Sequence, residues 1–316
     1  MPPAAAARPL AHAVPDDYVP PVAGAWPDAV LLRNDAVEAV VVPSIGRLVH
    51  LAPRGGRNVY RCDPGLLGQV PSKKKGETFF NIGGDWLWPV AQARWPEFPG
   101  QEGDWPPPKA LRDAAWKVSG NSDSSITLTR TYGEPVNAAV SRTFTLCKPE
   151  PSTAGVVIQQ SVTRTAPSDF PVTLWNISQI DSPTALVLPL APRSAFGNGI
   201  KLLAGAEPPP GCLSFLSAEN AAVYRIAPGA EIKLGTDAGE NAGAIAAMRG
   251  GRLTSLLALD PVGVPPGTEY PDGGCSHEAY SNHGLGYAEI ETLSREVPLK
   301  PGETISNRLV VRIDIP

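Results

Sequence analysis

The chain has 316 residues, a formal net charge of −4 at pH 7 and a pI near 5.7. This balance argues against a nucleic-acid or anionic-membrane partner, because both attract basic surfaces, and the one basic run is Lys73, Lys74 and Lys75. No stretch approaches the roughly eighteen uninterrupted apolar residues of a membrane span, so no membrane insertion is expected. The four cysteines lack CxxC spacing and have no nearby His arranged for zinc, which argues against a metal site, and no motif predicts a cofactor.

The N-terminal segment, residues 1–27, is rich in Ala and Pro. It lacks the basic and apolar regions of an intact signal peptide, so we predict a flexible lead-in. Residues 28–316 are then expected to form a single domain, although the length also allows two. Four cysteines are compatible with disulfides in an exported protein and with free thiols in a cytoplasmic one, and no pattern indicates an oligomeric state.

Short alternating or β-branched runs recur along the chain, and 36 Pro and 31 Gly separate them with turns. Only residues 108–117 suggest a helix, and the loop-rich residues 53–108 are too long for a simple connection. The class predicted is all-β, a large antiparallel sandwich. The predicted strands cover residues 36–42, 45–51, 125–132, 139–146, 155–165, 172–180, 221–226, 232–234, 253–259, 286–292 and 304–313.

An aromatic block at residues 81–92 reads Asn-Ile-Gly-Gly-Asp-Trp-Leu-Trp-Pro-Val-Ala-Gln. The indoles of Trp86 and Trp88 offer flat apolar faces that match the C–H face of a pyranose, while Asp85 and Gln92 offer hydrogen bonds to hydroxyl groups. This composition predicts a sugar site. The alternative is plain core, because residues two apart on a strand share one face.

Four blocks of the sequence carry a resemblance: the strand pair around Arg47, the aromatic block, residues 287–293 and residues 298–303. Together they resemble the galactose mutarotase-like superfamily, and within it a branch with a Gly-Gly-acid-x-Leu-Trp-x-x-x-Gln signature. The resemblance extends over roughly residues 30–316. It implies an all-β supersandwich of two large antiparallel sheets with a concave saccharide cleft. The same scaffold serves epimerases, lyase domains and binding domains, so the fold leaves the function open.

Aldose 1-epimerases of this superfamily are expected to use a Glu as base and a His as acid. Their Glu-bearing strand resembles residues 290–293, which makes Glu291 the candidate base. Glu289 would share its face of the strand and raise the pKa of Glu291 by like-charge proximity. The alternative is that one or both carboxylates face solvent.

The histidine expected as the general acid is absent from both positions where the family pattern has one. Residues 109–113 contain no His, and the central strand that resembles a His-bearing one carries Trp175, Asn176 and Gln179 instead. Of the four histidines, His277 and His283 precede the Glu291 strand, in what we interpret as a loop over the cleft. His283, nearer the strand, is the candidate acid, and its alternative is simple solvent exposure.

Three function classes therefore remain open: an aldose 1-epimerase-like enzyme, a non-catalytic saccharide-binding protein, and a lyase acting on uronic-acid sugars. A lyase needs a cation such as Arg47 or Arg94 to neutralise a carboxylate, although Arg47 could equally pair with an acid across the sheet. Asp85 could accept hydrogen bonds from a sugar or hold an arginine. The predicted substrate-binding residues are Arg47, Asp85, Trp86, Trp88, Gln92, Arg94, Trp175, Asn176, Gln179, His277 and Glu289.

Overall fold

The structure is a computed structural model that describes residues 19–71, 79–112, 115–147, 153–239, 243–265 and 267–314, without the side chains of residues 153, 257–261 and 283. The lysine run at residues 73–75, the first 18 residues and the side chain of His283 therefore lie outside the described residues. No described helix is long and apolar enough to cross a membrane.

Strands make up most of the regular structure. They are β1 (Val30–Arg33), β2 (Val37–Val42), β3 (Arg47–Pro53), β4 (Gly84–Trp88), β5 (Lys117–Asn121), β6 (Ser125–Tyr132), β7 (Ala138–Leu146), β8 (Thr153–Arg164), β9 (Trp175–Asp181), β10 (Ala185–Pro189), β11 (Lys201–Gly205), β12 (Leu213–Leu216), β13 (Ala221–Arg225), β14 (Glu231–Thr236), β15 (Ile245–Arg249), β16 (Arg252–Val262), β17 (His277–Asn282), β18 (Tyr287–Leu293) and β19 (Thr304–Asp314). Helices are short: α1 (Lys109–Arg112), α2 (Pro271–Gly274) and 3₁₀ turns at Pro21–Gly24, Pro64–Leu66, Gln92–Glu97 and His283–Leu285.

The strands form two large antiparallel sheets, which confirms the predicted all-β supersandwich. The nine-stranded sheet has the order β1-β2-β3-β4-β9-β18-β17-β14-β11, and the ten-stranded sheet has the order β12-β13-β10-β15-β16-β19-β8-β7-β6-β5. The core lies between them. Ile180 and Ile290 of the first sheet and Ile158 and Val311 of the second are at most 2% exposed.

The predicted strands coincide with observed ones, but two segments differ from their interpretation. The loop-rich residues 53–108 contain β4, which pairs with both β3 and β9. The predicted loop before the Glu291 strand is instead β17, paired along its whole length with β18. Among the described residues of the helix candidate, 108–117, Lys109–Arg112 is helical and β5 begins at Lys117.

Part of the predicted lead-in packs on the outer face of the nine-stranded sheet. Val22 and Trp26 form a second apolar cluster with Val40 and Val42 of β2. Trp26 is 2% exposed, and its indole Nε1 donates a hydrogen bond to the carbonyl oxygen of Gln69 at 2.8 Å. The described residues of this segment are therefore folded onto the sheet, and the domain boundary at residue 28 stays a prediction.

Candidate functional site

Two glycines bring the aromatic block against the sheet. Gly83 and Gly84 have φ values of 104° and 82°, a region that L side chains rarely adopt. A Cβ on Gly84 would lie 2.5 Å from the carbonyl oxygen of Leu48. Without a side chain there, β4 can run close to β3 and direct Trp86 and Trp88 outwards.

A cleft of about 430 Å³ opens on the outer face of the nine-stranded sheet. Its floor and walls come from β4, β9, β18, β17, β14 and β11 and from the loops beside them. The lining residues are Phe79, Asn81, Trp86, Trp88, Gln92, Asp104, Trp105, Gln179, Ala204, Glu231, Lys233, Tyr280, Leu285, Tyr287, Glu289 and Glu291. This combination of aromatic faces, amides and carboxyls is compatible with a saccharide ligand.

The tryptophans serve both the core and the cleft. Trp88 lies at the centre of the cluster, with ring centroids 4.4 Å from Trp95, 5.9 Å from Trp175 and 6.1 Å from Trp86. Trp95 and Trp175 are fully buried, whereas Trp86 and Trp88 keep 6% and 8% of their surface exposed, on the cleft side. The two interpretations of this block are therefore complementary, because buried indoles support the indoles that line the cleft.

Glu289 and Glu291 both line the cleft from β18. Glu291 Oε2 accepts a hydrogen bond from the indole Nε1 of Trp175 at 2.7 Å, and Glu289 Oε1 accepts one from Gln179 Nε2 at 2.7 Å. Burial raises the pKa of both carboxyls, that of Glu289 to about 7, with the charge of Glu291 contributing. Burial is thus the main cause for both carboxyls, and the like charge of a neighbouring carboxylate acts in the same direction.

Lys233 and Glu278 lie beside Glu291, and the sequence analysis did not predict either of them as a site residue. Lys233 Nζ lies 2.6 Å from Glu278 Oε2 and 3.8 Å from Glu291 Oε1. Burial acts to lower the pKa of Lys233, but the three nearby carboxylates, Glu278 foremost, have the larger effect. The pKa of Lys233 is therefore raised above its ordinary value, and the ammonium stays charged. Burial also raises the pKa of Glu278. Because residues 277–283 were interpreted as a loop, Glu278 was not predicted as a site residue. The pairing of β17 with β18 places it directly opposite Glu291.

The two candidate histidines have different positions. His277 is fully buried on the face of β17 that points away from the cleft, and its Nδ1 lies 3.0 Å from Ser276 Oγ. Burial lowers its pKa to about 4. The predicted contact of His277 with substrate is therefore corrected: strand alternation turns it inward. His283 begins the 3₁₀ turn that leads to cleft-lining Leu285.

Asp85 and Asn176 also point between the sheets, not into the cleft. Asp85 Oδ1 lies 2.6 Å from Arg142 Nη2, and its Oδ2 accepts hydrogen bonds from Asn176 Nδ2 at 2.7 Å and Ser178 Oγ at 2.6 Å. Both side chains of the ion pair are fully buried. Of the two roles considered for Asp85, the structure shows the one in which it holds an arginine.

The two predicted arginines are engaged elsewhere. Arg47 Nη1 donates to the carbonyl oxygen of Gly83 at 2.8 Å, and its guanidinium lies 4.0 Å from the centre of the Trp86 ring. Burial lowers the pKa of Arg47 to about 9. Arg94 pairs with Glu97 at 3.2 Å and Glu296 at 3.4 Å. Neither lines the cleft, whereas Gln92 and Gln179 do.

No metal site accompanies the cleft in the part of the chain that the structure describes, since no three His, Cys, Asp or Glu side chains there are placed to hold an ion. Cys62, Cys212 and Cys275 are free thiols. The chemistry available among the described lining residues is therefore that of carboxyl, amide, phenol and ammonium groups.

Solved structures with the same architecture exist, although no protein-family model matches the chain and no curated protein matches its sequence. A candidate aldose 1-epimerase from Escherichia coli K12 superposes over 91% of this chain and 99% of its own, with a TM-score of 0.54 and 13% identity. A galactose mutarotase-like protein from Lactobacillus casei superposes over 90% of this chain and 99% of its own, with a TM-score of 0.51 and 14% identity. The fold of this chain is therefore that of the galactose mutarotase-like proteins.

Proposed function

We propose that the cleft binds a saccharide and that the protein interconverts its anomers, with Glu291 as base and Glu289 as acid. The observation that carries this proposal is the placement of two carboxyls, Glu291 buried and Glu289 half-buried, on one face of β18, beside aromatic rings and in different surroundings. Glu291 faces an indole N–H and the Lys233 ammonium, both of which favour its ionised form. Burial and the neighbouring charge of Glu291 raise the pKa of Glu289, so it holds a proton more readily, although the hydrogen bond from Gln179 Nε2 favours its ionised form.

Anomer exchange needs one proton removed and one delivered. Glu291 takes the proton of the anomeric hydroxyl while the carboxyl of Glu289 protonates the ring oxygen, and the bond between C1 and the ring oxygen breaks. The open-chain aldehyde then rotates about its C1–C2 bond. The ring oxygen returns its proton to Glu289 as it attacks C1, and Glu291 protonates the new hydroxyl. Atoms and protons balance, and both carboxyls end as they began.

Two observations bear on the alternatives. A non-catalytic binding protein is the second candidate, because no histidine lines the cleft among the described side chains. A lyase has less support, because Arg47 and Arg94, its candidate cations, are both bound to other groups outside the cleft.

The experiment is anomer exchange measured by saturation-transfer NMR on a panel of sugars. We expect the wild type to enhance exchange and Glu291→Gln and Glu289→Gln each to slow it by at least about 100-fold, the usual contribution of a positioned acid or base. Glu219→Gln, at an exposed turn outside the cleft, is the matched control and should exchange as the wild type does. Glutamine preserves size and hydrogen bonding, and Lys233 keeps its closer partner Glu278 at 2.6 Å in both variants, so the thermal midpoint should change little.

The pH profile separates the two roles. Exchange by the wild type should fall as pH rises through about 7, because Glu289 then loses the proton that it donates. Residual exchange in Glu289→Gln should lack this alkaline limb. Saturation transfer to a bound sugar without enhanced exchange would instead favour the binding protein, and full activity in Glu291→Gln would remove the proposed base.

A further inference from the structure

Acidic side chains outnumber basic ones in the cleft. Among the described lining residues, Asp104, Glu231, Glu289 and Glu291 are acids and Lys233 alone is a base. Two of the acids, Asp104 and Glu231, are exposed at the rim. Tyr280, also in the wall, donates its hydroxyl to Glu231 Oε1 at 3.0 Å and so orients this carboxylate beside the opening.

Lys233 does not offset this charge, because three carboxylates surround it. Its Nζ lies 2.6 Å from Glu278, 3.8 Å from Glu291 and 3.9 Å from Asp272. Even if Glu278 holds a proton, Glu291 and Asp272 leave one negative charge in excess around the ammonium. The floor of the cleft is therefore acidic as well as its rim.

The arginines near the cleft, Arg47 and Arg61, contact other protein groups. Arg61 donates to the Asn81 carbonyl oxygen at 2.5 Å and to Gln179 Oε1 at 3.2 Å, and it pairs with Asp63 at 2.8 Å. Arg47 is bound to Gly83 and covered by Trp86. A phosphate or carboxylate on a sugar usually needs such a guanidinium fork, and here it would meet carboxylates instead.

We propose that the cleft selects a saccharide carrying a protonated amine and discriminates against sugar phosphates and uronates. The proposal deepens the proposed function and depends on saccharide binding in this cleft. The surplus carboxylates attract the ammonium group, and the aromatic faces of Trp86, Trp88, Tyr280 and Tyr287 stabilise a cation near their rings. A neutral sugar gains only the stacking and hydrogen-bond contributions.

The test is binding measured by isothermal titration and ligand-observed NMR at about pH 6, where an amine is protonated and a uronate is ionised. The probes are glucosamine, glucose, glucose 6-phosphate and glucuronate, together with their galactose counterparts. We expect an amino sugar to bind about tenfold more tightly than its neutral counterpart. Added salt should narrow this preference by screening the rim charges, and the two anionic probes should bind most weakly.

Variants assign the preference to the cleft. Glu231→Gln keeps an oxygen that can accept the Tyr280 hydrogen bond but removes one rim charge, so it should reduce the preference for an amino sugar over its neutral counterpart about threefold. Glu219→Gln removes the same charge from an exposed turn outside the cleft and should leave this preference unchanged.

The outcomes separate this proposal from the proposed function. Equal affinity for amino and neutral sugars, or tighter binding of an anionic sugar, would overturn the selectivity while leaving anomer exchange of the bound sugar intact. An amine preference that survives in Glu231→Gln and is lost in Glu219→Gln would place the recognition outside the cleft and also overturn the proposal. Failure of every probe to bind would overturn saccharide binding itself, and the selectivity with it.

Discussion

At the residue scale, identical side chains differ through what surrounds them. Glu289 and Glu291 are two positions apart on β18, yet Gln179 faces the first while Trp175 and Lys233 face the second. A neighbouring cation favours an ionised carboxylate, and a neighbouring carboxylate favours a protonated one. The proposed assignment of acid and base therefore depends on contacts across the sheet and not on residue type.

The buried pair of Asp85 and Arg142 leads to a prediction about stability. Asp85→Asn leaves a fully buried guanidinium without its counter-charge, so we expect the free energy of unfolding to fall by about 3 kcal/mol, at the lower end for a broken buried pair. Chemical denaturation measures the change. Arg57→Gln, which removes an ion pair whose arginine side chain is 68% exposed, is the control and should cost at most about 1 kcal/mol. An equal loss of unfolding free energy in the two variants would mean that burial of the Asp85–Arg142 pair does not increase its contribution to stability.

At the element scale, the alternation of side chains along two strands shapes the site. In β17 this alternation places Glu278 and Tyr280 on the face that carries the cleft, where Tyr280 lines it, and His277 on the opposite, inner face. In β4 it sends Trp86 and Trp88 outwards and Asp85 inwards. A single two-residue period thus separates the groups available to a ligand from those that join the two sheets.

The glycine turn before β4 can be tested directly. Gly84→Ala would place a methyl group 2.5 Å from a backbone oxygen at a φ of 82°, and we expect a loss of about 2 to 3 kcal/mol in stability. The near-ultraviolet circular dichroism of the tryptophans should change with it, because β4 carries Trp86 and Trp88. Gly133→Ala, where a Cβ meets nothing within 4 Å, is the control and should stay within about 0.5 kcal/mol. If Gly84→Ala changed neither the stability nor the near-ultraviolet spectrum, β4 would be able to move away from β3 to accommodate the methyl group.

At the scale of the whole molecule, the outer face of the nine-stranded sheet is shared between two tasks. The described part of the N-terminal segment covers β2 and β3 near one edge, and the cleft occupies the strands from β4 to β14. The opposite face packs against the ten-stranded sheet. The described part of the N-terminal segment thus shields from solvent apolar residues of β2 and β3 that do not line the cleft.

This division predicts a structural role for Trp26. Trp26→Ala removes a side chain that is 2% exposed, so we expect the free energy of unfolding to fall by about 3 kcal/mol. Denaturant titration measures this, and sugar binding in the cleft should persist under native conditions. Val19→Ala, at a position 53% exposed, is the control and should change stability by less than about 0.5 kcal/mol. No loss in Trp26→Ala would show that this segment adds nothing to the fold.

The sequence by itself determined the all-β class, most strand positions and the aromatic block, because two-residue periodicity and turn residues are local signals. It also indicated Glu291, through the resemblance of its strand. Only the tertiary structure decided which face each side chain occupies and which groups meet from distant strands. The Lys233–Glu278 pair comes from β14 and β17, and the Asp85–Arg142 pair joins the two sheets. Such contacts depend on strand order and register, which no local pattern in the sequence specifies.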